Sequence, residues 1–227
     1  SRDLGPIAFQ FGTRPLLTEE SPIPPSWKRR LLELLPDDVM LHRFSPTGFY
    51  SSAVRNDFLN DLVARSERQV EIADAADGER GMSAFFAYGR TGRGVFMRPE
   101  DLARVQGWIA QGFTQPMRTP DATLIFVTPQ AARAIRRDQA DCMGCLSHCA
   151  FSNWKDRDDH TTGRPSDPRS FCIQKTLQEI AHGRGEPVTN QLMFAGHNVF
   201  RFREDPFYAN GFVPSVKQLV QRILTGF

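Results

Sequence analysis

The chain has 227 residues, 40% hydrophobic and 24% charged, with 28 basic side chains against 26 acidic ones and a formal charge of +2. That is chain enough for one sizeable core or two small ones, and disorder is not its default. So small a positive excess gives no electrostatic reason to expect nucleic acid or an anionic membrane as partner, and no run of eighteen apolar residues is present to cross a bilayer.

The opening, SRDLGPIAFQFG, has a single Arg and no apolar stretch of signal-peptide length, so a cytoplasmic protein is the expectation. It begins with Ser rather than Met, which points to processing or to a piece of a longer protein. Residues 6–11 are apolar at nearly every position and stop at Gly12, which reads as a short strand buried on both faces, a habit of parallel sheets. After Pro22, Pro24 and Pro25, Ser26 is placed to cap a helix over 27–35, with Leu31, Leu32 and Leu35 on one side. The opposite side carries Lys28, Arg29 and Arg30, which read as a solvated face, as do Arg133, Arg136 and Arg137.

Val39, Leu41 and Phe44 alternate with more polar residues as a half-buried strand, residues 45–48 form a turn, and residues 53–64 are expected as helix. From 74 to 94 the texture shifts to Ala, Asp and Gly, the look of a loop or linker. Pro99, followed by Glu100 and Asp101, opens a helix to about residue 111 whose acidic first turn suits the dipole. Residues 124–127 form a strand, and Thr128 caps a helix opened by Pro129 that runs to about 138. Residues 155–168 are charged and turn-rich, a stretch that orders most easily if its ends are tied together. A helix then starts at Cys172 and stops at Gly183, and a last helix from Pro214 carries Val216, Leu219, Val220, Ile223 and Leu224.

All four cysteines fall in one arrangement: Cys142, Cys145 and Cys149, then Cys172. Clustered thiolates repel one another and oxidise readily unless a ligand is shared, so the pattern reads as a metal site. Cys-x2-Cys-x3-Cys with a distant fourth Cys resembles the 4Fe-4S loop of dienoyl-CoA reductase-type flavoenzymes. Structural zinc favours two separated Cys pairs and is the alternative, with His148 able to replace one cysteine; unliganded thiols or a redox disulfide are the remaining readings.

Gln10-Phe11-Gly12-Thr13 follows the first strand, where a parallel α/β protein presents backbone N–H groups to an anion. Its continuation, Arg14-Pro15-Leu16-Leu17-Thr18-Glu19-Glu20-Ser21, resembles the last barrel strand and loop of the nitronate monooxygenase (2-nitropropane dioxygenase) family of FMN-binding TIM-barrel flavoenzymes. The resemblance continues through the Trp27 helix, residues 39–44, Gly48, Val54-Arg55-Asn56 with Phe58, Met193-Phe194-Ala195-Gly196 and the helix over 216–226. It departs at Phe49, where the family commonly has Arg. It implies that Gln10, Phe11, Gly12 and Thr13 help hold the FMN phosphate, that the substrate is a small molecule, and that the rest of the barrel lies in an N-terminal half this chain lacks.

The family's histidine base belongs to that earlier half, so no catalytic residue is assigned here, and His197 reads as a structural or surface histidine. His42, His160 and His182 have no nucleophile or carboxylate at a motif spacing, and Asp156, Asp158 and Asp159 suit a solvated loop.

The fold class expected is α/β to α+β, the C-terminal portion of a TIM-barrel protein with a four-cysteine segment appended. The barrel strand and phosphate loop take residues 1–22, a flavin-covering segment 23–73, a linker 74–98 and an α/β segment 99–140. The metal segment takes 141–185 and the C-terminal segment 186–227. The function expected is an FMN-dependent oxidoreductase with a 4Fe-4S cluster, inactive as this chain alone. A metal-stapled interaction module or an enoyl reductase of the same flavin family stands as alternative, and self-association is left open.

Overall fold

The computed structural model of the chain describes residues 11–45, 49–88, 92–140, 167–185 and 187–225. Its helices are α1 (Pro25–Glu33), α2 (Asp57–Glu67), α3 (Pro99–Ala110), α4 (Pro129–Ala140), α5 (Ile173–Ala181) and α6 (Val216–Thr225). The strands are β1 (Val39–His42), β2 (Ser51–Val54), β3 (Gln69–Glu71), β4 (Ala84–Ala87), β5 (Gly94–Met97), β6 (Gln115–Arg118) and β7 (Thr123–Val127). They divide into two compact units: Ser1–His42 with Ser51–Leu59 and Thr176–Phe227, and Arg43–Tyr50 with Asn60–Lys175.

In the first unit α1 buries Trp27 and Leu31 against Leu17, Val54, Met193, Val199 and Tyr208. Pro25 sits in the first turn, where a missing N–H costs nothing, and the Pro24 position makes no side-chain cap. The helix therefore starts before Ser26, which is a correction to the expected cap. It also ends at Glu33, so the helical period stops there: Leu34 is buried while Leu35, expected on the core side, is half exposed.

β1 and β2 pair antiparallel, Val39 opposite Val54 and His42 opposite Ser51. Leu41 is 60% exposed, so the expected half-buried alternation fails at that position. Residues 53–64 hold a second departure from expectation, because Ser51–Val54 is strand and the helix begins only at Asp57. Asn56 starts that helix by accepting the Leu59 N–H on its side-chain oxygen at 2.9 Å, the arrangement of an N-cap.

The second unit is built on the antiparallel order β3-β7-β6. β7 is the strand that residues 124–127 led one to expect, and it is buried from Leu124 to Val127. Its side chains alternate between two cores: Leu124 and Phe126 join Val70 and Val105, while Ile125 and Val127 join Ala132 and Ile135 of α4. A strand covered on both faces is thus achieved without parallel pairing. The expected loop at 74–94 contains β4, which pairs with β5 through Phe85 opposite Phe96. Gly94 is needed there, since a Cβ would collide with the Phe85 ring.

Mixed helix and sheet is what the described residues show, and every strand pair among them is antiparallel. The strand expected at 6–11, its last residue excepted, and the turn residues 46–48 lie outside the described residues, as do the first three cysteines.

Candidate functional site

Two places carry the residues that the sequence singled out. The first is the turn at Gly12–Thr13. Thr13 heads a short 3-10 turn, Arg14–Leu17, closed by the Leu16 N–H donating to the Thr13 carbonyl at 3.0 Å. Its hydroxyl oxygen accepts the Gly196 N–H at 2.9 Å, tying the turn to a segment 183 residues later. A threonine hydroxyl that accepts can also donate, so the group is oriented with its own proton available to an anion. Gly12 has nothing within 4 Å of the place a Cβ would occupy and no positive φ, so no described neighbour demands a glycine there. The backbone is open to close approach from solvent.

Gln10 lies outside the described residues, and Phe11 is 43% exposed. Arg14, the nearest cation in sequence, is engaged with partners of its own. It donates to Asp205 at 2.8 Å and to the Tyr208 hydroxyl at 3.3 Å, with its guanidinium 5.0 Å from the centre of the Phe202 ring. Burial, the largest single influence, disfavours its charge, but the hydrogen bonds and charges of Asp205 and Tyr208 together outweigh it and raise its pKa; burial also raises the Tyr208 phenol, against the pull of Arg14.

The segment 193–196 also joins β2. Val54 N–H donates to the Met193 carbonyl at 2.8 Å, and Ala53 forms a bridge with Phe194. Asn56 donates from its amide to the carbonyls of Val188 at 3.2 Å and Gln191 at 2.8 Å. His197 is exposed. A cleft of about 490 Å³, which the sequence did not reveal, opens between α1 and the turns at Val199–Glu204 and Pro206–Gly211; its rim includes Arg29, Arg203 and Asn210. A motif search could not find it, because its residues are contributed by distant stretches with no shared spacing.

The second place is the approach to Cys172. Arg169 forks onto Asp167 at 2.9 and 2.7 Å and reaches Asp121 at 2.9 Å and Gln69 at 3.0 Å. Burial opposes the Arg169 charge and the two carboxylates overcome it, so its pKa is raised. The Phe171 N–H donates to the Phe44 carbonyl at 2.9 Å. Cys172 is half-buried just ahead of α5, as the sequence suggested for a helix start. Lys175 on that helix pairs with Asp138 at 3.6 Å near the end of α4. That pair ties the end of α4 to α5. Cys142, Cys145, Cys149 and His148 lie outside the described residues, and no group of three metal-ligating side chains occurs among the described ones.

Arg65 is buried, donates to the Pro168 carbonyl at 3.1 Å and pairs with the exposed Asp61 at 3.4 Å, and burial lowers its pKa. Its Nε and the Gln139 Nε2 are buried donors with no hydrogen-bond partner among the described residues.

Fold and site together define a mixed helix-and-sheet protein with an open glycine-threonine turn and an ion-paired approach to Cys172. Compared with family models, curated proteins and solved structures, the chain finds no match. No described helix is long and apolar enough to cross a membrane.

Proposed function

We propose that the chain is the C-terminal part of an FMN-dependent oxidoreductase resembling the nitronate monooxygenases, which oxidise alkyl nitronates with oxygen. Cys142, Cys145, Cys149 and Cys172 are proposed to hold a 4Fe-4S cluster. One observation carries the reading: the Gly196 N–H donates to Thr13 Oγ1. The hydrogen bond joins two of the stretches in which the sequence resembles that family, although 183 residues separate them.

FMN, when bound, supplies a two-electron acceptor that oxygen regenerates. In this reading Gln10, Phe11, Gly12 and Thr13 hold its phosphate. The open Gly12 backbone would allow close approach and Thr13 Oγ1 would donate to the phosphate, its hydroxyl oriented by the Gly196 N–H. Proton abstraction from substrate belongs to the N-terminal half, and the substrate contacts that would separate a nitronate oxidase from an enoyl reductase belong there too.

The cysteine centre is a clamp in this account. It would clamp residues 155–168 onto the helix that starts at Cys172, whose approach is held by Arg169 and by the Asp138–Lys175 pair. That arrangement also favours a second reading, a metal-stapled interaction module, in which the Gly12–Thr13 turn binds no cofactor. The two separate on one comparison: flavin content of this chain and of a longer form that includes the N-terminal half. FMN retained by the longer form supports the oxidoreductase, and a metal-bearing protein free of flavin in both forms supports the module.

A further inference from the structure

The cleft beside α1 gathers positive charge that the described residues do not neutralise. Its volume, about 490 Å³, is that of a site for a small organic ligand. Lys28 and Arg29 line it from α1 and Arg203 from the turn at Val199–Glu204, with one carboxylate, Glu33, against these three cations. Arg29 and Arg203 make no hydrogen bond or ion pair among the described residues.

Lys28 is half-buried and held in place. Its ammonium donates to the carbonyls of Thr18 at 2.6 Å and Glu19 at 3.4 Å. Those carbonyls occupy two of its three N–H groups, while its charge meets no carboxylate among the described residues.

The aromatic part of the lining is fixed as well. Phe202 and the buried Tyr208 stand with ring centres 5.4 Å apart, and the Arg14 guanidinium lies 5.0 and 5.5 Å from the two rings. Asp205 anchors the pair, accepting from Arg14 at 2.8 Å and from the Phe207 N–H at 3.0 Å. Leu32 of α1 adds further apolar surface.

We propose that this cleft binds a small organic anion, a phosphate or carboxylate group carried on a flat apolar body. The guanidinium forks of Arg29 and Arg203 suit two oxygens of either group, and Lys28 adds a charge already oriented by the backbone. With Glu33 offsetting one of the three cations, two positive charges remain for the ligand to match. The apolar body lies against Phe202, Tyr208 and Leu32, whose order is in place before it arrives. A neutral ligand would leave the cations unmatched and a bare inorganic anion would leave the rings uncovered, so both parts of the ligand are required. The site shares no residue with the Gly12–Thr13 turn or the approach to Cys172, and its test uses neither flavin nor metal, so it stands or falls apart from the oxidoreductase reading.

Isothermal titration of the 227-residue chain with naphthyl phosphate, naphthoate and neutral naphthol tests it. At least one of the two anions should bind saturably, one per chain and at least ~10-fold tighter than naphthol, and the tighter anion identifies the charged group. Arg29→Gln and Arg203→Gln remove no hydrogen bond or ion pair among the described residues. Each should weaken that anion about fivefold, and the two together about 20-fold. Ala209→Trp, on the lining, should exclude it by bulk. Arg133→Gln combined with Arg136→Gln, at exposed positions of α4, should change nothing. Failure of both anions to bind saturably overturns the proposal. So does binding that naphthol matches, or that the Arg29, Arg203 and Ala209 variants leave intact. An equal loss in the α4 variant also overturns it, by reducing the effect to the chain's general positive charge.

Discussion

Replacing Arg169 by Met removes the clamp ahead of Cys172 while keeping most of the side chain's bulk. Arg169 makes four side-chain hydrogen bonds, two to Asp167, one to Asp121 and one to Gln69. Arg169 and Asp167 are each only 18% exposed, so their pair keeps most of its strength. Bonds to charged groups contribute about 1.5–3 kcal/mol each when sheltered. Asp121 is 55% exposed, and solvent reduces its share to under about 1 kcal/mol. Part of the loss returns when Asp167 rehydrates, so the net cost of Arg169→Met comes to about 3 kcal/mol. Arg169→Lys keeps the charge but not the fork and should lose about half as much. Urea denaturation followed by circular dichroism, with an unchanged slope, measures both. Metal content should fall with stability in the Met variant. A cost under about 1 kcal/mol, or a Lys variant equal to the parent, would refute the claim that this fork holds the cysteine platform.

Asn56→Ala removes the cap on α2 and two donations to Val188 and Gln191, and should cost about 2–3 kcal/mol in the same assay. Ala122 is held at φ +58, so Ala122→Gly should stabilise the chain by about 1 kcal/mol; a loss of stability would contradict the strain argument. Burial works to raise the Asp121 pKa, yet hydrogen bonds from Thr119 and Arg169 outweigh it and the net shift is downward. A carboxylate with a lowered folded pKa adds stability that is complete above its unfolded value of ~3.9 and disappears as pH falls through the lower folded value. Asp121→Asn should therefore flatten the loss of stability on acidification from pH ~5 to ~2, and an unchanged acid limb would be the contrary result. Thr13→Val should weaken FMN retention by the longer form by roughly tenfold while Thr13→Ser retains it, since only the hydroxyl is needed; equal retention by Val and Ser would remove Thr13 from the site.

Helices with strong local signals were legible before any coordinates. Pro99 with its acidic first turn gave α3, and Thr128-Pro129 gave α4, whose cap is seen as the Ala131 N–H donating to Thr128 at 3.2 Å. Strands with weak signals were not. β4 hides in an Ala- and Gly-rich stretch because its order comes from pairing with β5 and from the Phe85 ring lying over Gly94, both of which are long-range facts. The end of β2 reads as helix in the sequence because Ala53 and Val54 fit either period; their pairing with β1 and the bridge to Phe194 decide the matter. At the candidate site, the residue types at Gly12–Thr13 and Cys172 could be read directly. Their tethers to Gly196, Arg169 and the Asp138–Lys175 pair could not, since each depends on residues that only folding brings together.

The absorbance spectrum of the anaerobically purified longer form, taken with iron, sulfide and zinc analysis, tests the central proposal most directly. The account predicts flavin bands near ~450 nm together with a shoulder near ~400 nm and about four irons per chain, the shoulder and iron lost in Cys172→Ser. A colourless protein carrying one tightly bound zinc and no flavin would contradict it.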